Sequence, residues 1–171
     1  MRTGVLTALI IGAGLWFGAV AHAQQPAPPA PAAPSPPPDY GPPVTNEQAK
    51  AAAAAAFAEA KKNNWRMAFT IVGPVGELVY FEKMDGTQHA SIDISRAKAR
   101  TAVFYRRPSK AFADQYAAGN TAFTTFPEQP IASEGGVLIV FNGKVVGAIG
   151  ASGGTGQQDG IAATAGASAV K

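Results

Sequence analysis

The chain has 171 residues, two histidines, no cysteine and a formal charge of +3. That length suits one domain rather than several. The absence of thiols excludes disulfide frameworks, thiolate metal centres, iron–sulfur clusters and thiol redox chemistry, and so mild a charge does not point to nucleic acid.

The chain opens with a basic residue, Arg2, followed by a run from Val5 to Val20 that is almost wholly apolar, broken by Gly12, Gly14 and Gly18. Ala21-His22-Ala23 is then an A-x-A cleavage signal. The apolar run is shorter than the roughly 20 residues that favour a membrane span. This pattern predicts a signal peptide over residues 1–23, a periplasmic or secreted protein beginning at Gln24, and no stable membrane span after cleavage. No cysteine follows the run, so a lipid anchor is excluded. Residues 24–43 hold ten of the fourteen prolines, mixed with alanine. Proline fixes φ and lacks an N–H, so this stretch reads as an extended, semi-rigid linker. A disulfide-free domain this small must rely on its own core or on a homo-oligomer.

The domain is expected over residues 44–171. Thr45-Asn46-Glu47-Gln48 is a capping-box pattern, and the alanine-rich run to Lys62 favours a helix able to pack closely. Asn63-Asn64 ends it. Trp65 to Val72 and Glu77 to Lys83 read as two strands joined by the turn Gly73-Pro74-Val75-Gly76. Ser91 is positioned to cap a helix to about Tyr105, in which Ile94, Ala97, Thr101 and Phe104 recur at helical spacing. Pro108 breaks that helix, and a short one follows over Ser109 to Ala118. Thr121 to Ile131 has no period and reads as an ordered loop. Gly136 to Phe141 and Lys144 to Ile149 form a hairpin around Asn142-Gly143. A glycine-rich stretch then precedes a helix over Gln157 to Val170. The fold class is α+β, an antiparallel sheet with helices packed on it.

His89 is the one histidine left after cleavage, between a strand end and a helix start. Its imidazole can ligate a haem iron, or it can be an ordinary loop histidine. One histidine without cysteines cannot close a zinc site, whereas haem needs as little as one axial protein ligand. Met84 is a second soft ligand or a strand-end core residue. Gly150-x-Ser152-x-Gly154 matches the nucleophile-elbow pattern literally, but a hairpin strand is the wrong context. Ser152 and Gly153 suit an anion better, through backbone N–H groups near a helix start, or else form a plain turn. Arg96, Lys98, Arg100, Arg106, Arg107 and Lys110 crowd one stretch, which reads as a solvated face with one or two cations available to an anionic ligand.

Three stretches carry a family resemblance. The first is Lys83-Met84-Asp85-Gly86-Thr87 followed by Ala90-Ser91-Ile92-Asp93-Ile94-Ser95-Arg96-Ala97-Lys98-Ala99-Arg100-Thr101-Ala102. The second is Gly135-Gly136-Val137 with Gly143 to Gly153, and the third is Gln158-Asp159 with Ile161-Ala162. In this order they resemble the GlcG/HbpS-like family over Val44 to Lys171. Lys83, Leu138 and Gly160 depart from the family pattern, where arginine, proline and an acidic residue are usual. The resemblance implies an α/β sandwich on an antiparallel sheet, a tendency to oligomerise, and binding of haem or a related tetrapyrrole. The implied cofactor is haem; the resemblance does not assign its iron ligand, for which this chain's own residues offer His89 first and Met84 second. Lys83, Arg96 or Lys98 would pair with its propionates, and the Ser152-Gly153 backbone would hold an anion. The function expected is extracytoplasmic haem handling or sensing. A non-catalytic oligomeric module that binds another protein, and an enzyme acting on a small carboxylate or on haem, are the competing readings.

Overall fold

A computed structural model describes residues 36–171. The leader expected over residues 1–23 and the linker as far as residue 35 lie outside the described residues. In chain order the elements are α1 (Asn46–Lys62), β1 (Ala68–Val72), β2 (Leu78–Lys83), α2 (Ser91–Tyr105), α3 (Lys110–Ala117), a 3-10 turn (Ala122–Thr125), β3 (Gly136–Phe141), β4 (Lys144–Ser152) and α4 (Gly156–Ser168).

The two hairpins join into one antiparallel sheet of order β2-β1-β4-β3. Phe69 pairs with Ala151 and Ile71 with Ile149 where the central strands meet. Asn142 and Gly143 both have positive φ, 49° and 74°, as the two-residue hairpin turn requires. Helices cover both faces of the central strands, and every residue of β1 is buried. Phe69 and Ile71 face α1 and α4, while Thr70 and Val72 face α2. This follows from strand geometry, in which alternate side chains point to opposite faces.

Small residues set the helix distances. Ala52, Ala53 and Ala56 of α1 are fully buried. A Cβ on Gly166 of α4 would lie 2.7 Å from the Ala52 carbonyl oxygen. On the other face α2 lies so close to β4 that a Cβ on Gly150 would overlap the Ser95 carbonyl. Both Thr45 and Thr155 form complete capping boxes, with Gln48 and Gln158.

Three local expectations change. Ser91 does not cap α2, because Ala90 already occupies that position in helical conformation and the Ser91 side chain is buried. Its hydroxyl accepts a hydrogen bond from Ser152. The Ser109 side chain, at the start of α3, bonds the Ser133 carbonyl and the Gly136 amide. β4 runs on from Ile149 to Ser152, because Ala151 and Ser152 pair with Phe69 and Ala68. Finally, Pro38 to Pro43, read as linker, contains a strap docked on the domain. Asp39 and Gly41 bond the Val145 backbone in parallel. The Tyr40 hydroxyl donates to the Val103 carbonyl at 2.8 Å, and Arg106 lies over the Tyr40 ring. The strap holds the Lys144 end of β4, opposite to the Ser152 end.

Candidate functional site

Three chain segments meet at the Ser152 end of the sheet. The first leaves α1 through a Schellman turn: Asn64 takes a left-handed φ of 58°, Asn64 N–H bonds the Lys61 carbonyl, and Trp65 N–H bonds the Ala60 carbonyl. This turn brings Trp65 and Arg66 to the surface just before β1. The second segment, Met84 to Gln88, is pinned to the first: the Met84 N–H and the Thr87 hydroxyl both donate to the Met67 carbonyl. The third, Gly153 to Gln158, leads into α4. Gly153 has φ 147°, and a side chain there would collide with the Arg66 carbonyl, so only glycine fits.

Two adjoining cavities lie among these segments. One, of about 370 Å³, is lined by Phe57, Lys61, Asn64, Trp65, Arg66, Met84 and Asp85. The other, of about 500 Å³, is lined by Asn64, Trp65, Arg66, Gly86, Gln88, Gly153, Gly154 and Gln158. Trp65 and Arg66 form the wall they share. Arg66 is exposed and makes no ion pair among the described residues. Both volumes fall within the range of small-molecule sites, roughly 300–1,000 Å³.

The residues expected to act at a ligand site separate into three groups. Met84 lines the first cavity and packs its other side on the core. Lys83 and His89 are exposed beside the cavities without lining them. Lys83 Nζ lies 3.5 Å from the Met84 carbonyl oxygen. The His89 imidazole makes no hydrogen bond among the described residues. Arg96 lies elsewhere, in a crevice on the outer face of α2 with Arg100, Tyr105 and Glu128.

Lys98 and Ser152 are interior residues, contrary to the ligand contacts expected of them. Lys98 is 1% exposed. Its ammonium donates to Asp159 Oδ2 at 2.6 Å, so no propionate at the surface reaches it. The Ser152 hydroxyl is buried and donates to Ser91, which also removes it as a nucleophile. The glycine-rich backbone does hold an anion, but an internal one: Gly154 N–H donates to Asp159 Oδ1 at 2.9 Å. Burial pushes the Asp159 carboxyl above its ordinary value. The Lys98 ammonium and the Gly154 and Gly153 amides offset part of that rise.

Trp65, Arg66, Phe57 and Lys61 were not singled out in the sequence. The available signal was an aromatic–cation pair immediately after the helix stop Asn63-Asn64, where a side chain is raised out of the sheet.

The family described as "Haem degrading protein HbpS-like" matches residues 44–168. Protein GlcG of Escherichia coli (strain K12) is 38% identical over 109 residues, 64% of this chain and 81% of that protein. An uncharacterised 15.0 kDa protein of Citrobacter freundii is 34% identical over 119 residues, 68% of this chain and 84% of its own length. Among solved structures, HbpS superposes with a TM-score of 0.70 at 28% identity, covering 77% of this chain and 92% of that one. The PduOC:heme complex shares the fold, with a TM-score of 0.69 at 20% identity over 75% of this chain and 96% of that one. A three-layer sandwich with two glycine-dependent helix contacts, matched along nearly the whole described domain, leads to one assignment: the chain belongs to the HbpS-like family.

Proposed function

We propose that this protein binds haem or a related tetrapyrrole outside the cytoplasm, in the adjoining cavities at Trp65 and Arg66. The observation that carries this reading is the lining itself. Phe57 and Trp65 offer aromatic surface to a flat macrocycle, while Lys61 and Arg66 offer cations to its propionates. Met84 presents a thioether to the same cavity, and His89 stands one position beyond Gln88 of the second. The residues present therefore fit the group. Haem would supply a redox-active iron with axial positions open to such ligands. The family description and the haem complex of a structural neighbour support the same reading.

Export is the setting proposed for this activity, with cleavage after Ala23 and residues 24–37, ahead of the docked strap, as the tether. Intact-mass measurement of the exported protein should give a chain beginning at Gln24; a mass retaining residues 1–23 overturns it. Among the described residues no helix is long and apolar enough to cross a membrane. Assembly as a homo-oligomer is part of the proposal, supported by two edge strands that leave Leu78, Phe81 and Val140 exposed. Light scattering that reports a monomer at micromolar concentration counts against it.

Titration of the exported protein with hemin tests the central reading. A saturable Soret band is expected. Arg66→Ala should weaken binding by about tenfold, the effect of losing one charge-assisted contact. His89→Ala and Met84→Leu should each be compared for a shifted Soret maximum. A spectrum that grows without saturation, or an affinity indifferent to Arg66, removes the site.

A further inference from the structure

We propose that Asp159 is a positioning residue for the second cavity: its buried carboxylate, partnered by Lys98, anchors the Gly154 amide and holds the Gly153–Gly154 backbone in place as the cavity wall. The proposal takes only the identity of the ligand from the haem reading; the claim about the wall rests on geometry.

Lys98 belongs to α2, on one face of the sheet, and Asp159 to α4, on the other. They meet at the end of the sheet, and both side chains are almost completely buried, at 2% and 3% exposure. An ammonium buried so deeply requires its counter-charge, because an unpaired buried charge is strongly destabilising. The Asp159 carboxylate is therefore fixed in orientation by Lys98. A staple between two layers needs one carboxylate oxygen, and Oδ2 supplies it at 2.6 Å. The second oxygen points the other way and accepts the Gly154 N–H at 2.9 Å.

That bond reaches the cavity directly. Gly153 and Gly154 are lining residues. Gly153 packs against the Arg66 carbonyl and the Met67 Cα with no space for a side chain. The carbonyl of that Met67 anchors Met84 and Thr87. Loss of the Gly154 anchor thus loosens one wall and the backbone that presents Arg66. No other side chain bonds the Gly154 amide among the described residues, so Asp159 alone performs this task.

Two neutral double variants separate positioning from a general structural role. Lys98→Met/Asp159→Asn removes both charges but keeps an acceptor for Gly154. Lys98→Met/Asp159→Leu removes the charges and the acceptor. Neither leaves a buried charge without a partner. Amide hydrogen exchange at Gly154 and hemin affinity are measured on both, under conditions where circular dichroism shows them folded. In the leucine variant Gly154 should exchange about tenfold faster or more, and hemin should bind about tenfold more weakly, the consequence of one lost anchoring bond. The asparagine variant should stay within about threefold of wild type in both, since that bond is retained. Thr45→Ala, which destabilises α1 at its far end, serves as the control and should change neither. Wild-type exchange at Gly154 in the leucine variant overturns the proposal. So does a freed Gly154 with unchanged hemin affinity. If wild type binds no hemin, the haem reading falls, and Gly154 exchange in the two variants still decides whether the Asp159 anchor holds the wall.

Discussion

Lys98 of α2 and Asp159 of α4, 61 positions apart in the chain, meet as a 2.6 Å ion pair that spans the sheet end beneath the candidate site. The pair ties the two helical layers together, and it makes the interior of this small domain sensitive to pH.

Burial raises the Asp159 carboxyl above its ordinary value of 3.8 in the folded protein. Unfolded, it ionises near 3.8. Between these values the folded state holds more protons than the unfolded state, so stability falls as pH rises through the window. The contribution is fully present below 3.8 and lost once pH passes the folded pKa. Carboxyl 13C NMR should place the Asp159 midpoint above 3.8. Urea unfolding should show wild type losing stability relative to Lys98→Met/Asp159→Asn across the same range. A midpoint at or below 3.8 contradicts this.

The strap makes a separate prediction. Tyr40 reaches the Val103 carbonyl near the C-terminal end of α2. Tyr40→Phe keeps the ring under Arg106 and removes only the hydroxyl, with its contacts to the Val103 and Phe104 carbonyls, so it should cost about 1 kcal/mol in urea unfolding. Hemin affinity should not change, because the strap lies at the opposite end of the sheet. A loss of affinity would show that the two ends communicate.

Close approach of α2 to the sheet depends on Gly150. A single added methyl overlaps the Ser95 carbonyl, a backbone atom that cannot rotate away. Gly150→Ala should therefore destabilise the domain by about 2 kcal/mol or more, the usual scale of core overpacking. Thermal melts compared with Gly143→Ala, a glycine whose added methyl meets nothing, separate sterics from backbone effects. A loss below about 1 kcal/mol for Gly150→Ala would argue against close packing at this position.

Local patterns carried most of the fold. The Thr45 capping box, the alanine run and Asn142-Gly143 each depend on neighbours a few residues apart, and each forms as its pattern predicts. The site was less legible because its bonds are long-range. Lys98 sits among Arg96 and Arg100 in a stretch that reads as a solvated face, and only the placement of α4 turns it inward. Asp39-Tyr40-Gly41 is hidden among prolines, and its partners lie more than sixty residues downstream. Trp65 looked like the first residue of a strand. The Schellman turn at Asn64 stops the strand short of it and leaves the ring at a cavity.

Trp65 also provides the most direct measurement. Cleavage after Ala23, as proposed, would remove Trp16 and leave Trp65 as the one tryptophan of the mature chain. Haem bound between Phe57, Trp65 and Met84 would lie against the indole and quench its emission by energy transfer. Hemin titration followed by tryptophan fluorescence should give near-complete, saturable quenching at the same midpoint as the Soret band, with that midpoint weakened by Arg66→Ala. A saturable Soret band with Trp65 emission left largely intact would place the haem elsewhere and contradict the assignment of the site.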